Sequence, residues 1–175
     1  MPETKKTTSR TAEPMVRLIY IDSVMDNNTI PLGKGRLLTG SGRRFSVTLS
    51  EFESDFMTPL VMSLLRSRKF IVLEGLTPEL RRQYDCDYAP GEVLLDPASA
   101  QAMLDMSPAE AETLFSALCV PHRELVGNVF AEAWSRGDPR ISRDVLERLN
   151  ALSAKDYSDG RGVFREILKD MNAKV

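Results

Sequence analysis

His122 is the single histidine of the chain, and Cys119 stands three positions before it. An imidazole beside a thiol is the minimum for cysteine–histidine chemistry, in which the base takes the proton of the nucleophile. That chemistry also needs a third group to orient the imidazole. Both residues fall at the junction of two helical patterns, and no motif surrounds them. His122 is therefore read as a partly buried structural histidine. Cys119, which continues the apolar stripe of Leu114, Phe115 and Leu118, is read as core. The chain has two cysteines, Cys86 and Cys119, too few for a disulfide framework and wrongly spaced for zinc. A reducing compartment during folding is the reading, with one disulfide between them left open.

The stretch Gly33-Lys34-Gly35-Arg36-Leu37-Leu38-Thr39-Gly40-Ser41-Gly42 has the glycine gap of a phosphate-binding loop between Gly35 and Gly40. Ser41-Gly42 replaces the lysine and hydroxyl residue that would hold phosphate and magnesium, and the next segment alternates like a strand. Hairpin turns needing positive φ account for the glycines better. Asp22, Asp26, Asn27 and Asn28 lack the glycine and closing glutamate of a calcium loop, so a tight turn is expected. Asp85/Asp87 and Glu110/Glu112 read as surface acids. Met57, Met62, Met103 and Met106, among eight methionines, read as core filling. No catalytic, cofactor-binding or metal-binding residue is assigned, and neither a cofactor nor a small-molecule substrate is expected.

The remaining chemistry is charge. Net charge is −2, but residues 15–48 carry five basic and two acidic side chains, whereas residues 49–106 carry five basic and ten acidic ones. Lys34, Arg36, Arg43 and Arg44 surround the glycine loop, and Lys5, Lys6 and Arg10 lie in a polar, Thr/Lys-rich start. These seven cations are the candidate interaction residues. Four phosphate contacts would give a salt slope of only about −3.6, below that of robust DNA binders. A protein partner fits better, and nucleic acid is the alternative. The acidic Glu51, Glu53, Asp55 and Asp85-Cys86-Asp87 also allow the basic loop of one copy to meet the acidic segment of another.

The elements that must position these residues follow from periodicity. Val16 to Ile21 reads as a strand covered on both faces, Ile30–Leu38 and Phe45–Leu49 as further strands, and Phe70–Leu73 as a short buried one. Ser50, with Glu53, is expected to cap a helical turn before the row Phe52, Phe56, Leu60 and Leu64. Pro59 must either kink that row or start a fresh helix to about Ser67. From Thr77 the period becomes helical, with helices expected near 78–84, 97–105, 108–119, 121–136, from Ser142, and from about 159 to 172. Gly137 is expected to stop the helix at 121–136. Cap-type residues precede proline in Thr58-Pro59, Thr77-Pro78, Asp96-Pro97, Ser107-Pro108 and Asp138-Pro139, the last read as a turn. The expected fold is α+β: a small N-terminal antiparallel sheet with one helical insertion, then a C-terminal cluster of short helices. Residues 1–14 are expected to be a flexible tail, 15–76 a β-rich subdomain and 77–175 a helical subdomain packed against it. No apolar run reaches the roughly 20 residues that a bilayer requires.

Arg44-Phe45-Ser46-Val47-Thr48-Leu49-Ser50-Glu51-Phe52 and Arg68-Lys69-Phe70-Ile71-Val72-Leu73-Glu74-Gly75-Leu76-Thr77 mark a segment that resembles small structural or accessory proteins of tailed bacteriophages. Those are neck, tail and baseplate components, or tail assembly chaperones. The resemblance covers about a third of the chain and carries no functional residue with it. It implies a non-enzymatic protein, assembled in the host cytoplasm into a virion. It also implies other virion proteins and copies of itself, in a ring or tube, as partners. A nucleic-acid-binding regulator or packaging accessory is the alternative.

Overall fold

The computed structural model describes residues 13–22, 29–32 and 35–173, without the side chain of residue 55. Three strands, β1 (Met15–Tyr20), β4 (Arg44–Thr48) and β5 (Phe70–Glu74), form an antiparallel sheet in the order β4-β1-β5. Central β1 matches Val16 to Val47 and Leu18 to Phe45 on one side, and Leu18 to Val72 and Tyr20 to Phe70 on the other. Because side chains alternate, Val16, Leu18, Tyr20, Phe70 and Val72 enter one apolar cluster while Ile19 and Ile71 enter a second. Coverage of both faces is why β1 is written in almost unbroken apolar residues. Gly75, just after β5, has φ +97°, and a Cβ there would lie 2.0 Å from the Met15 carbonyl oxygen. Only glycine lets the chain leave β5 that close to β1.

The other two strands, β2 (Thr29–Pro31) and β3 (Leu37–Thr39), form their own antiparallel ribbon. The one small sheet that the sequence suggests is thus two. Ile30, Leu32 and Leu38 bury themselves in the first cluster, so the ribbon acts as a lid on that face of the sheet. Gly35, Gly40 and Gly42 have φ of 73°, 83° and 79°, the turn conformation expected of them.

Between β4 and β5 the cap differs from expectation. Thr48, not Ser50, is the N-cap of the short turn α1 (Leu49–Glu51), its Oγ1 accepting from the Glu51 amide at 3.2 Å. The Ser50 amide donates instead to the Glu13 carboxylate at 2.9 Å. A widened π turn (Phe52–Phe56) follows, which buries both phenylalanines on the same face. Thr58 then starts a fresh helix, α2 (Pro59–Arg66), its Oγ1 accepting from the Val61 amide at 3.3 Å.

The helical half comprises α3 (Pro78–Gln83), α4 (Ala98–Ala102) continuing into a 3-10 turn (Met103–Asp105), α5 (Pro108–Ala117), α6 (Val120–Ser135), α7 (Arg143–Ser153) with a 3-10 turn (Ala154–Asp156), and α8 (Arg165–Ala173). Ser107 and Glu110 close a complete capping box on α5. Gly137, at φ +71°, ends α6: its amide reaches the Trp134 carbonyl at 2.9 Å and the Asp138 amide reaches Ala133 at 3.0 Å. Asp138-Pro139 forms a turn in which Asp138 accepts from the Arg140 amide. Helix α8 starts six residues later than expected. Gly160 and Gly162 lie at positive φ, and Asn150 Oδ1 and Ser153 Oγ hold the amides of Phe164 and Val163 in a turn. Phe164 is nevertheless fully buried, at the centre of the second cluster with Phe115 and Phe130. Trp134 is only partly buried against that cluster.

Candidate functional site

Helices α2 and α3 end in the same way, and neither ends on glycine. Arg68 and Asp85 are non-glycine residues at positive φ, 57° and 55°. After α2 the Arg68 amide donates to the Leu65 carbonyl at 3.1 Å and the Lys69 amide to Leu64 at 2.9 Å. After α3 the Asp85 amide reaches Arg82 at 3.3 Å and the Cys86 amide reaches Arg81 at 2.7 Å. Both are helix stops of the kind that usually places glycine at the left-handed position. Each L-residue so placed costs roughly 1–2 kcal/mol. These two residues bind each other: Arg68 Nη1 donates to Asp85 Oδ2 at 3.0 Å and Nη2 to Oδ1 at 3.2 Å, with a further bond from Nη1 to the Asp85 carbonyl at 2.6 Å. The fork is bidentate, but the Asp85 side chain is 68% exposed, so the pair offsets only part of that backbone strain.

Arg68 is the centre of a larger polar node. Its Nε donates to Glu92 Oε1 at 3.4 Å, and its guanidinium lies 5.2 Å from the centroid of the Tyr88 ring. Burial opposes the Arg68 charge, but Asp85 and Glu92 outweigh it and hold its pKa above the usual value. Tyr88 accepts from the Val72 amide of β5 at 3.2 Å, and burial, followed by the nearby Cys86, raises its phenol well above its ordinary range. His122, on the first turn of α6, completes the node. Its Nδ1 accepts from the Leu94 amide at 2.8 Å and its Nε2 lies 2.9 Å from the Arg68 carbonyl oxygen. An amide can only donate and a carbonyl can only accept, so the neutral Nε2–H tautomer satisfies both. Burial lowers the His122 pKa accordingly.

This geometry disposes of the thiol and the imidazole as a pair. Both ring nitrogens of His122 are spent on backbone groups from opposite sides of the node. Cys119 is half-buried at the N-cap of α6, where its side chain makes no capping bond. It stands at the junction and not on the α5 stripe, because α5 ends at Ala117. Cys86 is fully buried, and both are free thiols. Burial raises the pKa of each, the opposite of what an activated nucleophile needs. A cleft of about 230 Å³ opens beside the node, lined by Asp22, Lys69, His122, Glu124 and Asn128 among others. In it Asp22 Oδ2 accepts from Lys69 Nζ and from the Tyr20 hydroxyl, each at 2.7 Å. Among the described residues, no three His, Cys, Asp or Glu side chains converge as a metal ion would require.

The candidate interaction residues separate. Lys5, Lys6, Arg10 and Lys34 lie outside the described residues, as do Asp26, Asn27 and Asn28. Arg36 is ion-paired with Glu51, so the basic loop is partly neutralised by its own chain. Arg43 and Arg44 are exposed, and among the described residues neither forms an ion pair. Sequence reasoning missed Arg68 as the hub, together with Glu92. The available signal was the lack of glycine after two helices that both had to stop sharply.

Fold and node together define an α+β protein whose sheet is gripped from both faces. No family model matches the chain, and no curated protein or solved structure matches it either.

Proposed function

We propose that this protein is a non-enzymatic structural or assembly component of a tailed-phage particle, working in a neck, tail or baseplate through protein–protein contacts. The observation that carries the reading is where unsatisfied chemistry lies. The reactive side chains of the node are consumed in holding the sheet to the helices, whereas Arg43 and Arg44 face solvent at the start of β4 and Leu37, on β3, is 68% exposed. Exposed cations and an isolated large apolar side chain on the β-rich half suit contact with a complementary surface. The resemblance of the segments around β4 and β5 to phage accessory proteins supplies the setting.

Mass spectrometry of particles purified from the producing host, together with affinity capture of the tagged chain during assembly, tests this. The chain should co-purify with virion proteins, in the particle for a component and before completion for an assembly chaperone. Absence from both, with turnover of a metabolite or salt-sensitive binding of duplex DNA in its place, overturns the reading. Pairing of Arg36 with Glu51 leaves fewer free cations for phosphate and favours a protein partner over nucleic acid.

A further inference from the structure

The sheet guards one edge and, among the described residues, leaves the other without a strand. On the β5 side, Arg81 Nη2 donates to the carbonyls of Val72 and Leu73 at 3.3 and 2.9 Å, and the Tyr88 hydroxyl takes the Val72 amide. Side chains thus occupy the groups to which a further strand would bind. The other edge is β4. The Tyr20 amide donates to the Arg43 carbonyl at 3.0 Å and the Leu49 amide to the Pro14 carbonyl at 2.8 Å, so odd-numbered residues of β4 face β1. Arg44 and Ser46 therefore turn their amides and carbonyls outward, and Thr48, whose carbonyl opens α1, turns its amide outward; among the described residues no second strand pairs with them. Arg44 and Ser46 are exposed.

We propose that β4 pairs with β4 of a second copy, antiparallel about a two-fold axis through Ser46, to make one six-stranded sheet. The edge is self-complementary. That register sets Ser46 opposite Ser46 of the second copy and Arg44 opposite Thr48, with Phe45 opposite Val47 on the apolar face. The two Arg44 residues are then separated by four residues, about 14 Å along the strand, which exceeds the screening length at physiological salt. Charge selects the antiparallel direction. The basic pair Arg43-Arg44 opens β4, and the acidic Glu51 and Glu53 follow its end. Glu51 is shared with Arg36, whereas Glu53 is exposed and forms no ion pair among the described residues. Antiparallel pairing brings the basic end of each strand to the acidic end of the other, twice by symmetry; parallel pairing would stack like on like. The interface is short, so the dimer is weak and depends on concentration and salt. This deepens the function proposed above by naming one contact and its partner.

The test is light scattering on size exclusion over a concentration series at low and high salt, using the full chain. Three variants accompany it: Ser46→Cys, Ser46→Pro and the double reversal Arg43→Glu/Arg44→Glu. Wild type should shift from monomer to dimer with concentration, and less at high salt. Ser46→Cys should cross-link to a dimer under mild oxidation, whereas wild type treated identically should not. Ser46→Pro removes an outward amide and fixes φ at an edge position that tolerates proline, and the double reversal alters only exposed side chains. Both should remain monomeric with unchanged far-ultraviolet circular dichroism. A wild type that is monomeric at every concentration overturns the pairing. So does a dimer that survives the charge reversal and fails to cross-link at position 46, which would place the contact elsewhere. Either failure leaves co-purification with virion proteins untouched, so the pairing and the broader function can fail separately.

Discussion

His122 shows how one side chain can pin two layers together. Its ring joins the Leu94 amide to the Arg68 carbonyl, both backbone groups, and it does so only as the neutral tautomer. Protonation would set an N–H against the Leu94 N–H inside the node. The folded pKa therefore lies below the unfolded value of 6.5, with burial the largest cause. The unfolded chain takes up the proton first as pH falls, so the His122 contribution is complete above pH 6.5 and is lost as pH drops toward the folded pKa. Glu13 and Glu110, whose pKa values are lowered from 4.5 by bonds to Ser50 and Ser107, lose their contributions only at still lower pH. Urea unfolding at steps from pH 7.5 to 5 should show stability falling with pH in wild type, and a flatter profile in His122→Gln. An equal slope in both would show that the histidine is not held neutral.

Element boundaries here depend on single caps, and two serines that look alike in sequence do different work. Ser107 accepts from the Glu110 amide at 3.4 Å while Glu110 returns a bond to the Ser107 amide at 3.0 Å. Ser142 occupies the same position before α7 yet makes no capping bond. Ser107→Ala should cost about 1 kcal/mol in chemical denaturation, and Ser142→Ala should be nearly neutral. Comparable losses in the two would mean that intrinsic cap preference, and not the bond, sets the stability of these helices. The stops obey the same logic. Gly137 ends α6 without strain, whereas Arg68 and Asp85 end α2 and α3 in the same backbone state at a cost that their mutual pairing offsets in part.

At the scale of the molecule, the two apolar clusters share one sheet. Strand β1 sends Leu18 and Tyr20 into the cluster of Phe52 and Phe56, and Ile19 into that of Phe115, Phe130 and Phe164. A second tie lies within the helical half. Buried Arg123 donates to the Phe115 and Ser116 carbonyls at 3.1 and 2.8 Å and to Asp156 at 2.6 Å, fastening the end of α5 to the turn after α7. With the sheet common to both sides, the two clusters are expected to unfold together. Phe56→Ala, on the ribbon side, should lower the urea midpoint of Trp134 fluorescence on the helical side, together with the circular dichroism midpoint. The loss should be about 3–5 kcal/mol, close to that of Phe164→Ala. Two separated transitions in Phe56→Ala would show that the halves unfold independently.

What the sequence determined by itself is the α+β class, the punctuation of most helices and the two-sided burial of β1. These depend on interactions within a few residues or on the period of apolar side chains, and both are written along the chain. Thr58-Pro59, Ser107-Pro108-Ala109-Glu110 and Gly137 could be read directly because cap and amide are neighbours. The division of the strands into a sheet and a ribbon, the late start of α8 and the Arg68 node were decided by tertiary structure. Arg68 meets Asp85, Glu92 and His122 across 17, 24 and 54 positions, and pairings at that separation leave no periodic trace. The open edge of β4 follows the same rule. Phe45 and Val47 announce the buried face of a strand, but only its place in the order β4-β1-β5 shows that, among the described residues, no strand neighbours the outer edge of β4.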